Sequence, residues 1–234
     1  MDKKRKRFPF FFKKPIVAQS GLKHHVIISG TGRSGTTFLT ELLTELGLDT
    51  GFTRSTLAAN IHQNCNAGLE LDIRSQNSPY LIKSPWLCDQ LPEILSEKRI
   101  VIDHALIPIR DIFDAAESRR QVQNAADPAL GPDSVPGGLW RTETPEHQEF
   151  ILSMQFYKLI DVLTDHNIPM TFIRFPRLTS DPEYLYQKLD FLMKNISYST
   201  FSKTFTQVVK PNLVHSFPKQ VDRSIMANGH SLAL

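Results

Sequence analysis

What this 234-residue chain has little of narrows its chemistry first. It holds two cysteines, Cys65 and Cys88, and their spacing fits neither a metal site nor a redox motif. A disulfide scaffold is excluded, and reduced thiols in a cytoplasmic protein are the simplest expectation. Nowhere do apolar residues approach the run of about 18 that a membrane span needs. There is no internal repeat, which sets solenoids and propellers aside. Positive charge is sparse outside the start of the chain. Residues 1–15 carry seven basic residues and one acid, which leaves 20 basic against 23 acidic residues from 16 to 234. A body that is net acidic is not a nucleic-acid-binding surface, so no nucleic acid partner is expected.

What is present reads as a folded α/β chain. Apolar residues make up 41% of the sequence, which excludes a disordered protein. Residues 1–22 read as a solvated tail, and residues 23–234 as one domain. The tail combines Lys3–Arg7, Phe8-Pro9-Phe10-Phe11-Phe12 and Lys13-Lys14. That mixture also suits peripheral contact with an anionic membrane. Lys23 to Gly30, with Val26-Ile27-Ile28, predicts a central parallel strand buried on both faces. Phe38, Leu39, Leu42, Leu43 and Leu46 repeat at helical spacing, and Gly47 is a stop signal. Residues 48–79 are polar and aperiodic, an excursion over the strand ends with Glu70 and Asp72 as its acidic cluster. Pro79–Pro85 predicts a short strand ending in Lys83, followed by a helix through Leu87, Leu91, Ile94 and Leu95. In the apolar stretch from Arg99, the second part, Ala105–Arg110, predicts a strand. A helix follows from Asp111 to about Asn124. Residues 125–143 carry three prolines and three glycines and form a loop long enough for a functional lid. Thr144-Pro145-Glu146 starts a helix with a capping hydroxyl and runs to about His166. Pro169–Phe175 predicts a strand, and Asp181-Pro182-Glu183 another helix start. Residues 196–234 have weak periodicity. Alternating strands and helices predict a three-layer sandwich, a parallel sheet covered on both faces.

Chemistry concentrates at Gly30-Thr31-Gly32-Arg33-Ser34-Gly35-Thr36-Thr37. Three glycines and four hydroxyl residues on a strand-to-helix turn can point backbone N–H groups into one concavity. The helix N-terminus adds its positive end, so the expected occupant is a phosphate or another tetrahedral anion. The pattern is close to G-x-x-x-x-G-K-[S/T], but Thr36 stands where a P-loop has Lys, and the nearest cation is Arg33. Anion binding is therefore favoured over nucleoside triphosphate hydrolysis. A second element is Arg110 at a strand end with Ser118 two helical turns on, a cation and a hydroxyl able to hold a second phosphate. Lys83, on the strand between them, is the third.

With these three elements the sequence resembles the sulfotransferase family that uses 3′-phosphoadenosine-5′-phosphosulfate (PAPS), in its bacterial and Golgi-type branch. The Gly30–Thr37 turn looks like that family's 5′-phosphosulfate loop. Arg110 and Ser118 match its 3′-phosphate pair in type, order and spacing, and Ile82-Lys83-Ser84-Pro85 looks like its strand-end lysine segment. Phe172–Leu192 is similar to its late strand–helix unit. The resemblance implies a P-loop nucleoside triphosphate hydrolase-like fold, PAPS as cofactor and no metal. It also implies transfer of a sulfuryl group to a hydroxyl or amine on a small molecule, glycan or lipid. Cofactor contacts fall to Thr31, Gly32, Arg33, Ser34, Gly35, Thr36, Thr37, Arg110 and Ser118, and charge stabilisation to Arg33 and Lys83. Where the cytosolic branch has a His two residues after its Lys, this chain has Pro85. Other branches use a Glu after the loop helix, so Glu70 is the first candidate for the base, ahead of His62 and His104. The family's C-terminal basic segment has no match in Lys203–Lys219. Two rival readings remain. In one, Ile100-Val101-Ile102-Asp103 serves as a Walker-B-like strand of a nucleotide kinase or NTPase. The other is a non-catalytic nucleotide-binding relative.

Overall fold

The computed structural model describes residues 21–62, 65–131 and 133–218; the expected basic tail and the end of the chain lie outside them. The first strand, β1, spans Lys23–Ile28 and leads through the glycine turn into helix α1, Thr36–Glu45. Its C-terminus closes as the sequence predicts. Gly47, at φ 81°, donates its N–H to Thr44 and Leu48 donates to Leu43. This is the paired bonding that a left-handed residue permits after a helix. The polar excursion holds a single helical turn, α2 (Arg54–Leu57), and a small antiparallel hairpin of β2 (Ile61–His62) and β3 (Ala67–Gly68). Strand β4 (Leu81–Lys83) and helix α3 (Leu87–Ser96) follow.

Strand β5 is longer than its sequence predicts. It runs unbroken over Ile100–Ile109 instead of starting at Ala105. The reason is its central place. Its first residues pair with Lys23, His24 and His25 of β1, and its last with β6 (Met170–Arg174). Between β5 and β6 lie α4 (Ile112–Asn124) and α5 (Gln148–Asp165). Asp111 caps α4 by accepting from the Asp114 N–H at 3.2 Å. The expected Thr144 cap does not form: its side chain makes no cap bond, and a 3₁₀ turn, Pro145–His147, precedes α5 instead. The chain ends its regular structure with α6 (Pro182–Lys188), capped by Asp181, and α7 (Tyr198–Val208). In α7, Phe201, Phe205 and Val208 bury one face, so the weakly periodic stretch holds an amphipathic helix.

All four strands are parallel, in the order β4-β1-β5-β6. The side-chain period of two divides each strand between two cores. Ile27, Ile82, Ala105 and Ile107 face α3, α4 and α5, while Val26, Ile28, Leu81, Leu106 and Ile173 face α1, α6 and α7. The result is a three-layer α/β sandwich. The chain first moves from β1 to β4, then crosses to the other side for β5 and β6. The carboxyl ends of β1 and β5 therefore flank the point where the winding reverses, and ligands of open α/β sheets bind at such a point. No helix among the described residues is long and apolar enough to cross a membrane.

Candidate functional site

A cavity of about 560 Å³ opens at the carboxyl ends of the strands. The glycine turn forms its floor. Gly30, Gly32 and Gly35 all have positive φ, and so does Arg33, at φ 54°. Left-handed backbone costs a non-glycine residue roughly 1–2 kcal/mol, and such strain gathers at functional loops. Gly35 heads α1 without a side-chain cap, and Thr36, Thr37 and Phe38 of the first helical turn line the cavity. Thr31 spends its hydroxyl locally, on the Gly32 carbonyl at 3.3 Å. Ser34 is fully buried, and its hydroxyl has no partner among the described residues.

The cations expected from the sequence converge on this turn. Arg110, delivered by the end of β5, donates from Nη1 to the Arg33 carbonyl at 2.9 Å. Its Nη2 donates to the His215 carbonyl, and its guanidinium lies between the rings of Phe175 and Phe217, 4.8 and 5.8 Å from their centroids. The Arg33 side chain bridges α4 and the polar excursion: Nε donates to Ser118 Oγ at 3.1 Å, and Nη1 to the Cys65 carbonyl. Ser118 therefore meets the turn through Arg33. At the other side of the cavity Lys83, 4% exposed, donates to Thr37 Oγ1 at 2.9 Å, to Glu70 Oε1 at 2.7 Å and to the Gly68 carbonyl. Thus Glu70, 13 residues away in sequence, stands beside the lysine the sequence singled out. Of the other candidate bases, His62 lines the cavity. His104 does not: it bonds Thr171 Oγ1 at 2.7 Å and stacks on Phe191 at 4.2 Å between centroids.

One cation is absent from the sequence's own site. Arg119, next to Ser118 on α4, is 6% exposed and also lines the cavity. It donates from Nη2 to the Thr31 carbonyl at 2.9 Å and from Nη1 to the Gly138 carbonyl at 2.8 Å, with the Trp140 ring 5.2 Å from its guanidinium carbon. Gly32 makes room for this contact: it has φ 67°, and a Cβ on it would lie 2.5 Å from Arg119 Nη2. Sequence reasoning missed it: its partners, the Thr31 and Gly138 carbonyls, lie 88 and 19 residues away.

These groups repel one another. Burial lowers the pKa of Arg33, Lys83 and Arg110 and pushes Arg119 down to about 9, and the charge of Arg33 adds to the depression of the other three. Among the described residues, Arg33, Arg110 and Arg119 form no ion pair, and the Nε atoms of Arg110 and Arg119 are buried without a partner. Unanswered buried polar atoms cost about 1–3 kcal/mol each. An anion in the turn would answer both the charges and the orphan donors. The donor set therefore fits a phosphate or sulfate group. The remaining wall comes from the polar excursion, through His62, Cys65, Asn66, Ala67 and Glu70, and from Asp133 to Trp140 of the proline- and glycine-rich loop.

Asp103 stands elsewhere. It accepts from Tyr80 OH at 3.2 Å and bonds His24 Nδ1 at 2.8 Å, beside the His25/Val26 irregularity of β1 and below the turn. A Walker-B acid belongs near the strand end, where this chain has Ile107, Pro108 and Ile109.

No family model matches this chain, and no curated protein matches it. Among solved structures it is similar to the sulfotransferase domain from the Synechococcus PCC 7002 olefin synthase. The two share 15% identity at a TM-score of 0.46, over 95% of this chain and 93% of that one.

Proposed function

We propose that this chain is a sulfotransferase that takes PAPS as donor and passes the sulfuryl group to a hydroxyl or amine of a small molecule, glycan or lipid. The observation that carries the proposal is convergence. The glycine turn after β1 and Arg110 after β5 meet within hydrogen-bond distance, and Lys83 and Glu70 close the same cavity. Gly30–Thr37 would hold the 5′ end of the nucleotide, and Arg110 with Ser118 the 3′-phosphate. When bound, PAPS supplies an activated sulfuryl group.

The chain's own part is positioning and charge. The Glu70 carboxylate accepts the proton from the acceptor hydroxyl, as a general base must. Lys83 donates to that carboxylate at 2.7 Å and to Thr37 Oγ1 at 2.9 Å, so the base is linked through Lys83 to the first turn of α1. The ammonium of Lys83 and the guanidinium of Arg33 place positive charge where a leaving nucleotide gathers negative charge. Burial keeps both out of bulk water, where their field would be weaker.

Calorimetry with adenosine 3′,5′-bisphosphate and with ATP–Mg²⁺ tests the proposal. Metal-independent binding of the bisphosphate, lost in Arg110→Ala, supports it; preference for ATP–Mg²⁺ ends it in favour of a kinase or NTPase. Bisphosphate binding with no acceptor sulfated in a broad sugar, lipid and peptide panel would favour a non-catalytic relative.

A further inference from the structure

Arg119 has no part in the chemistry above, yet it is one of the most deeply buried charges in the molecule. We infer that Arg119 is a positioning residue that couples the glycine turn to the 133–140 loop, so that an anion in the turn fixes the wall against which the acceptor lies. The inference rests on the reading of the turn as a phosphate-binding site.

One guanidinium bonds both segments: its two terminal nitrogens donate to Thr31 in the turn and to Gly138 in the loop. A planar fork holds two carbonyls at a set separation, which the single ammonium of a lysine does not. The loop is stiff where it meets this fork. Leu139 N–H donates to Gln123 Oε1 at 3.1 Å. Trp140 exchanges two bonds with the buried Gln148, its N–H donating at 2.7 Å and its carbonyl accepting at 3.2 Å. The turn is shaped to admit the fork, because Gly32 leaves room for it. The arrangement carries a cost: a buried cation without a carboxylate is unfavourable. An anion in the turn supplies the missing negative charge and so stabilises the docked fork. By linkage, the docked loop must stabilise the anion equally. Val135, Pro136, Leu139 and Trp140 line the cavity, so the donor nucleotide sets the acceptor wall before the acceptor arrives.

The test uses Trp140 as reporter. The chain has two tryptophans, so Trp86→Phe leaves Trp140 as the sole emitter. In this background adenosine 3′,5′-bisphosphate is expected to change Trp140 emission. It should also slow cleavage within 125–143 by a non-specific protease about fivefold or more. Arg119→Met, with affinity measured separately by calorimetry, is expected to bind the bisphosphate within about tenfold of its parent but to lose both responses; Arg119→Lys should recover less than half of them. Undiminished responses in Arg119→Met overturn the inference, since they would show that Trp140 senses the nucleotide directly. Should Arg119→Met not fold, Gly138→Ala replaces it. A Cβ there would lie 2.6 Å from Gln123 Oε1 and 2.9 Å from Val135 Cβ, displacing the loop-side contact while sparing Arg119, and unchanged coupling in that variant is equally fatal. If the parent fails to bind the bisphosphate, the proposed function falls by itself. Inorganic sulfate then becomes the probe: protection of the loop that Arg119→Met abolishes upholds the coupling, and any other result overturns it.

Discussion

The two ends of one sheet treat polar groups in opposite ways. At the amino ends of the strands each group named here is answered. His24 and Tyr80 share the Asp103 carboxylate, His25 Nδ1 bonds the Pro79 carbonyl at 2.7 Å, and Lys23 donates to the carbonyls of Ser75 and Gln76. At the carboxyl ends three guanidinium groups lean on backbone carbonyls, and three buried polar atoms, on Ser34, Arg110 and Arg119, have no partner among the described residues. The amino-end groups are mostly exposed, whereas Ser34, Arg110 and Arg119 are buried, so the unanswered atoms lie where lacking a partner costs most. Folded chains satisfy their buried polar groups, and where a cluster is left open the missing partner comes from outside. Lys83 is the instructive exception at the open end: it is paired, and its partner Glu70 is the group assigned chemistry.

That contrast is broken or sharpened most strongly at Glu70. Glu70→Gln keeps an oxygen for Lys83 and removes the base. Transfer to any acceptor found in the panel is expected to fall about 10²–10⁴-fold, while calorimetry should show bisphosphate affinity within about threefold of the parent. A parallel loss of binding would mean that Glu70 serves the donor end. Next in size is Arg110→Ala, which removes a charged donor from the open cluster and should weaken the bisphosphate about 100-fold. Unchanged affinity would show that the carbonyls of Arg33 and His215 are this residue's whole purpose.

How much of this was legible beforehand follows from range. The turn and α1 are written locally, in glycine and hydroxyl spacing followed by a 3.6-residue apolar period, and the structure holds them over the predicted residues. The four-strand alternation was also local, and so was the split of each strand between two cores. Lys83 and Glu70 were singled out separately, but nothing in a polar, aperiodic stretch says that a β3 turn will bring them within 2.7 Å. The start of β5 was missed because its pairing with Lys23–His25 is long-range. Arg119 was missed for a like reason: a guanidinium buried by carbonyls 19 and 88 residues away leaves no local mark. Its neighbour Arg120, only partly buried and paired with Glu117 and Glu149, reads identically in sequence. The contact of Arg110 with His215 spans 105 residues and is invisible to any window.

The closed end supplies the smaller effects, and they should be effects on stability alone. Asp103→Asn leaves His24 and Tyr80 with a weaker acceptor; all three side chains are partly exposed, so the cost in denaturant unfolding is expected to stay under about 1 kcal/mol, with bisphosphate affinity unmoved. A change in nucleotide or Mg²⁺ binding would instead revive the Walker-B reading of this acid.

Smaller still is the response to acid. Burial lowers the pKa of His25 and of His104, both on the paired strands β1 and β5. The folded chain therefore binds a proton on these rings less readily than the unfolded chain, whose histidines titrate near 6.5. As pH falls the unfolded state takes up protons first, so the stability these neutral rings contribute is complete above about 6.5 and is lost as pH drops through the depressed folded values. Melting followed at about pH 7.5 and about pH 5.5 should show the lower midpoint in acid, with a narrower gap in His25→Gln combined with His104→Gln. If the double variant keeps the full gap, the acid response comes from other groups. If instead bisphosphate affinity of the parent tracks these two histidines, the two ends of the sheet are not independent, and the separation of a satisfied end from an open one fails.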